Sequence, residues 1–174
     1  MLLEFKVKNY KSFAEEAVFS MIAAPKQKGL DYSLMKTRVK GKEIKGLSSS
    51  VIYGPNASGK TNIIGAMDVL RSIVLRGNIR NSEEKSSPNP AAEALELIPN
   101  SDDTEGKPVC FSIEFYIGDA ENQFRILYEL EIDLGVFLNE DYPRRIISEN
   151  LFVNGEPVFQ RSGRLYLGNM KVIK

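Results

Sequence analysis

A glycine-rich stretch is the part of this sequence whose residue types and spacing could do chemistry. It fits the pattern G-x-x-x-x-G-K-[ST] in full, as Gly54-Pro55-Asn56-Ala57-Ser58-Gly59-Lys60-Thr61. The glycines allow backbone angles and close approaches that a side chain would block. The N–H groups of such a loop point inward as an anion-binding nest, and the lysine supplies a charge for the β- and γ-phosphates of a nucleotide. The pattern predicts a site for a nucleoside triphosphate, with ATP as the ligand.

Two residues of the stretch have further predicted roles. Lys60 is the predicted catalytic residue, because a cation there would stabilise charge on the transferred phosphoryl group. Thr61 is the predicted metal ligand, since its hydroxyl stands where Mg²⁺ binds beside the phosphates. Mg²⁺ is therefore the second predicted cofactor, after ATP. The alternative is an ordinary glycine-rich turn with a surface lysine.

The loop must follow a strand and open a helix if it is to hold phosphate. Val51-Ile52-Tyr53 is a short apolar run and predicts that strand. Apolar residues at helical spacing predict a helix over residues 63–75, with a buried face formed by Ile63, Met67, Leu70 and Val74. The positive end of the helix dipole would add to the attraction for phosphate.

The other predicted elements are mostly strands, because apolar and polar residues alternate along them. They cover residues 3–8, 17–22, a hairpin at 34–44 with Lys40-Gly41-Lys42 at its tip, 109–117, 124–134, 145–153, 158–161 and 164–167. Asn154-Gly155 is a two-residue hairpin signal. Polar residues at 78–90 predict a mobile loop, and a short helix is predicted at 91–98.

These elements predict an α/β fold of the P-loop NTPase type within a single lobe, residues 1–174. Residues 1–107 would form the P-loop core, in which a mixed sheet carries the loop and its helix. Residues 108–174 would form an antiparallel β meander, since their strand patterns follow one another without a helix between them. With 174 residues, the chain is long enough for one domain with a real core.

The composition excludes several classes of protein. Hydrophobic residues make up 43% and charged residues 26% of the chain, as in globular domains. A net charge of zero argues against a globally basic nucleic-acid binder. The lack of histidine removes histidine-assisted nucleophiles, and Cys110, as the single cysteine, allows no internal disulfide. No apolar run reaches the about 18 residues of a membrane span, so we expect a cytoplasmic protein without membrane contact.

Several stretches resemble a known group of ATPases. The loop with its following residue, Asn62, resembles the P-loop of the SMC, RecF and OLD group of ABC-class ATPases. A segment near the N-terminus, Asn9-Tyr10-Lys11-Ser12-Phe13, resembles the segment that follows the first strand in that group. Residues 147–153 and 158–161 are similar to bacterial AAA-family and abortive-infection ATPases.

The resemblance implies an ABC ATPase-like lobe that binds ATP and Mg²⁺. In that group the N-terminal segment approaches the base and the ribose, so the candidates for the purine side are Asn9, Lys11, Ser12 and Phe13. Asn62 is a further candidate contact to the nucleotide. A structural strand-to-turn segment with a solvated lysine is the alternative. The group also implies hydrolysis coupled to a conformational change or to homodimerisation of ATPase heads, in phage defence or DNA maintenance.

Parts of the catalytic machinery of that group have no counterpart in the sequence. We find no apolar strand ending in Asp-Glu (the Walker B element), no signature motif and no switch histidine. Whether this chain is itself an enzyme therefore stays open. We expect the N-terminal lobe of a longer ATPase, which binds nucleotide but hydrolyses it poorly. The rivals are a non-catalytic interaction module that nucleotide stabilises, and a P-loop kinase, which the antiparallel region disfavours.

Two clusters of charge have both a functional and a plain interpretation. A basic stretch could contact DNA phosphates, but the solvated face of a hairpin explains it better: Lys36, Arg38, Lys40, Lys42 and Lys45. An acidic cluster could bind a metal ion, but a solvated loop explains it better: Asp102, Asp103 and Glu105.

Overall fold

The computed structural model describes residues 1–24, 29, 31–39, 42–56, 58–79, 96–118, 123–139, 142–169 and 171. Its strands are β1 (Leu2–Lys8), β2 (Ala17–Ser20), β3 (Leu34–Val39), β4 (Lys42–Leu47), β5 (Val109–Gly118), β6 (Gln123–Asp133), β7 (Arg145–Val153), β8 (Glu156–Ser162) and β9 (Arg164–Leu167). Helix α1 spans Lys60–Arg76, and a short 3-10 turn spans Asp31–Ser33. Apart from residues 51–53, the predicted strands and the helix after the loop are confirmed with small shifts at their ends.

Seven strands form one sheet in the order β2-β1-β5-β6-β7-β8-β9. Every neighbouring pair in that sheet is antiparallel. The prediction of a mixed sheet is therefore wrong for the described strands. In the pairing of β1 with β5, Phe5 lies opposite Ile113 and Val7 opposite Phe111. Strands from both sides of residue 108 share one sheet, because the apolar face of β1 continues into that of β5.

One face of this sheet is apolar, and α1 packs against it. The strands contribute Phe5, Val7, Val109, Phe111, Leu130 and Ile132 to the core, and the helix contributes Ile63, Ala66, Val69, Leu70 and Ile73. Burying a large apolar side chain of this kind stabilises the fold by roughly 1.5–3 kcal/mol. Because side chains alternate along a strand, the opposite face of the sheet carries polar residues such as Lys6, Ser112 and Glu129.

The buried face of α1 differs from the predicted one. Met67 is only half-buried and Val74 is 55% exposed, whereas Ala66 and Ile73 are buried. Both sets of residues fit a spacing of three or four along a helix, so the pattern alone does not select the face. The small side chain of Ala66, which is fully buried, lets the helix lie close to the sheet.

The segment that leads into the glycine-rich loop is not a strand. Val51 is 81% exposed and Tyr53 is 90% exposed. None of the described strands pairs with residues 51–53. The apolar run predicted a strand, and that prediction is wrong because a strand needs a neighbour on at least one edge, which the described chain does not offer here.

The N-terminal end of the sheet is tied to the β3–β4 hairpin. The backbone N–H of Met21 donates to Leu3 O at 2.7 Å, and that of Leu47 donates to Met21 O at 2.7 Å. The terminal amine of Met1 donates to Tyr116 O at 2.7 Å. These bonds join the start of the chain to β5 and, through Met21, join β1 to the hairpin. Strand β2 ends at Ser20, before the predicted end at residue 22.

The turn between β7 and β8 confirms the hairpin signal. Asn154 has φ 55° and Gly155 has φ 84°. Both central residues of a type I′ turn need positive φ, which is why Asn-Gly favours it. The turn therefore sets the register of β7 against β8, where Val153 lies opposite Glu156.

Three predicted segments lie partly outside the described residues. Residues 40 and 41 of the hairpin tip, residues 80–90 of the predicted loop and residues 91–95 of the predicted short helix lie outside the described residues. Residues 96–98 are described and are not helical, so the predicted helix does not extend that far. No helix in the described parts of the chain combines the length and the apolarity that crossing a membrane requires.

Candidate functional site

The glycine-rich loop folds back on its own lysine. Lys60 is the first residue of α1, and its Nζ donates to the carbonyl oxygens of Gly54 at 2.8 Å and Pro55 at 2.5 Å. Nζ also lies 3.4 Å from Ser58 Oγ. Ala57 lies outside the described residues. Because residues at the start of the loop are tied to the cation at its end, the loop curls around a positive charge.

The residue between the loop and the helix has a backbone conformation that favours glycine. Gly59 has φ 82° and ψ 6°, in the left-handed region, where a Cβ costs about 1–2 kcal/mol. Among the described residues no side chain caps α1, and its first turn contains no acidic residue. The first N–H groups of a helix have no acceptor within it, so this end of α1 attracts anions.

The structure brings the N-terminal segment to the end of the loop. A Cβ added to Gly59 would lie 2.9 Å from Ser12 Oγ and 3.1 Å from Cε1 of Phe13. Asn62 Nδ2 donates to Ser12 Oγ at 2.7 Å. Two features therefore favour glycine at position 59: the positive φ and the side chains of Ser12 and Phe13, which leave no room for a Cβ. The nucleotide contacts predicted for Ser12, Phe13 and Asn62 stay predictions.

Lys11, which was also predicted to contact the nucleotide, is paired with a carboxylate. It forms an ion pair with Glu96, and its Nζ lies 5.6 Å from the centre of the Tyr10 ring. Tyr10 is fully buried and packs on Phe111 with ring centroids 5.9 Å apart, and its burial raises the pKa of its hydroxyl. The Glu96 carboxylate thus neutralises the charge of Lys11, which directly precedes the two residues packed against the loop, Ser12 and Phe13.

Asn9, the remaining candidate for the purine side, has a buried side chain with protein partners. Its Nδ2 donates to Asp103 Oδ2 at 2.9 Å and to Lys107 O at 2.6 Å. Its Oδ1 accepts the backbone N–H of Asn100 at 3.3 Å. The amide therefore joins the N-terminal turn to residues 100–107, which is a structural role.

The stretch 96–103, which no sequence pattern marks as part of the site, makes hydrogen bonds with the N-terminal segment. Ile98 O accepts the backbone N–H of Lys11 at 3.1 Å, and Asn100 Nδ2 donates to Lys11 O at 2.6 Å. The cluster Pro99-Asn100-Ser101-Asp102 is typical of a turn, but no pattern links it to residues 9–13. The available signal thus identifies a loop and not its partner.

The residues near the loop fit Mg²⁺ only together with a nucleotide. Thr61 is exposed in the first turn of α1. No cluster of three or more carboxylates or cysteines in the described chain is arranged to hold a metal ion. Mg²⁺ keeps several waters and binds few protein groups beside substrate phosphates, so the Thr61 hydroxyl could supply one of its ligands in that setting.

The acidic cluster is a hydrogen-bonded loop. The Asp103 carboxylate accepts the backbone N–H of Glu105 at 3.1 Å and that of Lys107 at 2.7 Å. The same carboxylate accepts Asn9 Nδ2. Its oxygens are used to shape the turn, which agrees with the plain interpretation and not with a metal site.

The basic stretch of the β3–β4 hairpin is partly neutralised by acids. Lys36 donates to Asp31 at 2.8 Å, and this hydrogen bond raises the pKa of Lys36. Lys45 Nζ lies 3.9 Å from the Glu43 carboxylate, and Arg38 lies opposite Glu43 in the strand register. These pairs favour a solvated face, and contact with DNA stays a prediction.

The loop pattern and the helix that it opens are typical of P-loop nucleotide-binding domains, although residues 51–53 before the loop do not form the strand of that motif. Residues 49–166 match the family described as "AAA domain, putative AbiEii toxin, Type IV TA system". Because the match covers most of the chain, this protein belongs to that family, and its domain is a nucleotide-binding domain of the AAA ATPase type. No curated protein and no solved structure matches the chain.

Proposed function

We propose that this chain binds ATP with Mg²⁺ at residues 54–61, as the nucleotide-binding lobe of an ABC-class ATPase. The observation that carries the proposal is the position of Lys60. Its ammonium group is held by loop carbonyl oxygens, and Lys60 itself begins the first turn of α1, which contains no acidic residue. A cation beside the positive end of a helix favours a polyphosphate over a neutral ligand. Membership of the AAA-type family supports a nucleotide as that polyphosphate.

On the phosphate side, the chain's own groups supply charge and hydrogen bonds. The loop N–H groups would donate to phosphate oxygens. Lys60 would exchange carbonyl oxygens for oxygens of the β- and γ-phosphates, because an ionised acceptor makes a stronger hydrogen bond with an ammonium group. Thr61 would offer its hydroxyl to Mg²⁺, whose other ligands would be phosphate oxygens and water. Bound Mg²⁺ neutralises charge on the phosphates.

The N-terminal segment is proposed to form the purine side of the site. Ser12 and Phe13 already lie against Gly59, and Asn62 is bonded to Ser12. If the phosphates occupy the loop, the ribose and base extend either past its Gly59 end or past its Gly54 end. The packed end offers a hydroxyl, an amide and an aromatic ring, and Lys11 stands next to them in the chain.

Hydrolysis is proposed to need parts beyond the groups found in this lobe. The sequence offers no Walker B carboxylate to complete the Mg²⁺ site or to activate water. We therefore place hydrolysis in the intact parent, coupled to a conformational change or to homodimerisation of ATPase heads. The family description names a toxin of a type IV toxin–antitoxin system, which supports phage defence as the process, with DNA maintenance as the alternative.

The proposal is tested by the affinity of the Lys60→Ala variant for ATP. Calorimetry with Mg²⁺ present should show wild-type binding and an affinity about 10- to 100-fold weaker in the variant, since a charge-assisted hydrogen-bond donor is lost. Lys36→Ala removes an exposed lysine paired with Asp31 and serves as the matched control, with wild-type affinity expected. Equal affinities of Lys60→Ala and the wild type would refute the assignment of the site.

Phosphate release by the same proteins tests the statement about hydrolysis. The wild-type chain should hydrolyse ATP slowly, because its sequence offers no Walker B carboxylate to activate water. Rapid turnover that disappears in Lys60→Ala would show that this lobe is catalytically complete. A thermal shift with ATP but no turnover in the intact parent would favour the non-catalytic module.

A further inference from the structure

Lys11 has a backbone conformation that is unfavourable for lysine. Its φ is 47°, in the left-handed region that residues with a Cβ rarely occupy. Asn9, two residues earlier, has φ 51°, but asparagine tolerates this region better. A strained residue of this kind persists only where its surroundings hold it. The N-terminal turn therefore depends on contacts from elsewhere in the chain.

Backbone bonds between Tyr10 and Phe13, at 2.8 and 3.0 Å, close the turn around Lys11. Asn100 adds the side-chain contact to the carbonyl of Lys11 itself. It is 5% exposed, and Asn9 and Asn100 are the buried polar residues of the described chain. Its Nδ2 donates to Lys11 O at 2.6 Å, while its Oδ1 accepts the backbone N–H of Asp102 at 3.0 Å. Its own backbone N–H donates to Asn9 O at 3.2 Å. One side chain thus fixes the carbonyl of the strained residue and the turn that carries it.

The held residue directly precedes the two that pack on the loop. Ser12 and Phe13 meet Gly59, and Ser12 also accepts a hydrogen bond from Asn62 in the first turn of α1. A change of Lys11 to negative φ would redirect the chain that leads into Ser12 and Phe13, and so would strain their contacts with Gly59. The conformation of Lys11 is therefore coupled to the end of the loop.

We propose that Asn100 is a positioning residue of the nucleotide site: by holding Lys11 in the left-handed conformation, it keeps Ser12 and Phe13 against Gly59. The inference rests on the proposed function, since it assigns a role at that same site. Asn100 does not itself touch the loop in the described contacts, so it acts through residues 11–13.

The first test compares two substitutions at Asn100 by calorimetry with ATP and Mg²⁺. Asn100→Ala should weaken binding about fivefold, the effect of one lost hydrogen bond, with unchanged stoichiometry. Asn100→Asp keeps the oxygen that accepts from Asp102 but turns an acceptor toward Lys11 O, and it should weaken binding at least as much. Asn139→Ala, at an exposed position of another loop, is the control and should bind as the wild type does.

The second test asks whether the effect passes through the backbone of Lys11. Glycine adopts positive φ without strain, so in a Lys11→Gly background the further change Asn100→Ala should weaken ATP binding less than twofold. An equal loss in both backgrounds would overturn the inference, because a general structural role predicts no rescue by glycine. If Asn100→Ala does not fold, the double variant must restore folding and binding, and its failure to do so overturns the inference.

The outcomes separate the two proposals. Absence of ATP binding in the wild-type chain would overturn the proposed function and this inference with it. Wild-type binding together with unchanged affinity in Asn100→Ala and Asn100→Asp would overturn this inference alone.

Discussion

Gly59, where the glycine-rich loop ends, is packed against Ser12 and Phe13, whereas Tyr53, just before the loop begins, is 90% exposed. The end of the loop continues into a helix whose inner face belongs to the core. Its beginning is preceded by an apolar segment that pairs with none of the described strands. The difference indicates that the loop takes its shape from the helix and the N-terminal turn, and not from the strand that the sequence predicts before it.

Substitution of Gly59 should have the largest effect at the packed end. Gly59→Ala adds a Cβ at φ 82° and pushes it against Ser12 Oγ, so the free energy of unfolding should fall by about 2–3 kcal/mol. Urea denaturation measures this change. Gly163→Ala is the matched control, because Gly163 has φ 72° and a Cβ there would meet nothing within 4 Å. The control should lose only about 1 kcal/mol, and equal losses would show that Ser12 and Phe13 do not crowd Gly59.

The contact between Ser12 and Asn62 should contribute an intermediate amount. A double-mutant cycle with Ser12→Ala and Asn62→Ala should give a coupling energy of about 0.5–1 kcal/mol, because the bond is exposed to solvent. Denaturation of the four proteins measures it. Additive single effects would mean that the N-terminal segment and α1 are not linked through this pair.

The smallest effect is expected at the start of the loop. Tyr53→Ser should change the free energy of unfolding by no more than about 0.5 kcal/mol, because the side chain has little contact to lose. Tyr116→Ser, the same change at a buried position, should cost about 3 kcal/mol or more. A large loss in Tyr53→Ser would reveal packing around residues 51–53 and remove the asymmetry.

The asymmetry also marks where sequence reasoning succeeds. The loop pattern, the helix after it, the alternating strands and the Asn154-Gly155 turn were all readable, because each depends on residues a few positions apart. The strand predicted at 51–53 is absent, because an apolar run indicates a preference for burial but does not indicate whether a neighbouring strand exists. The helix face was missed for a related reason: Ala66 and Met67 both fit the spacing after Ile63, and only the sheet surface selects between them.

By itself, the sequence determined the glycine-rich loop pattern and the helix that follows it, and it predicted phosphate and Mg²⁺ contacts for Lys60 and Thr61. The resemblance also drew attention to residues 9–13, without saying what they contact. Only the tertiary structure decided that Ser12 and Phe13 lie on Gly59, that β1 pairs with β5, and that the Asn100 side chain donates to Lys11 O. These are contacts between residues far apart in the chain, and their geometry is set where the helix, the sheet and the turns come together, which no local pattern encodes.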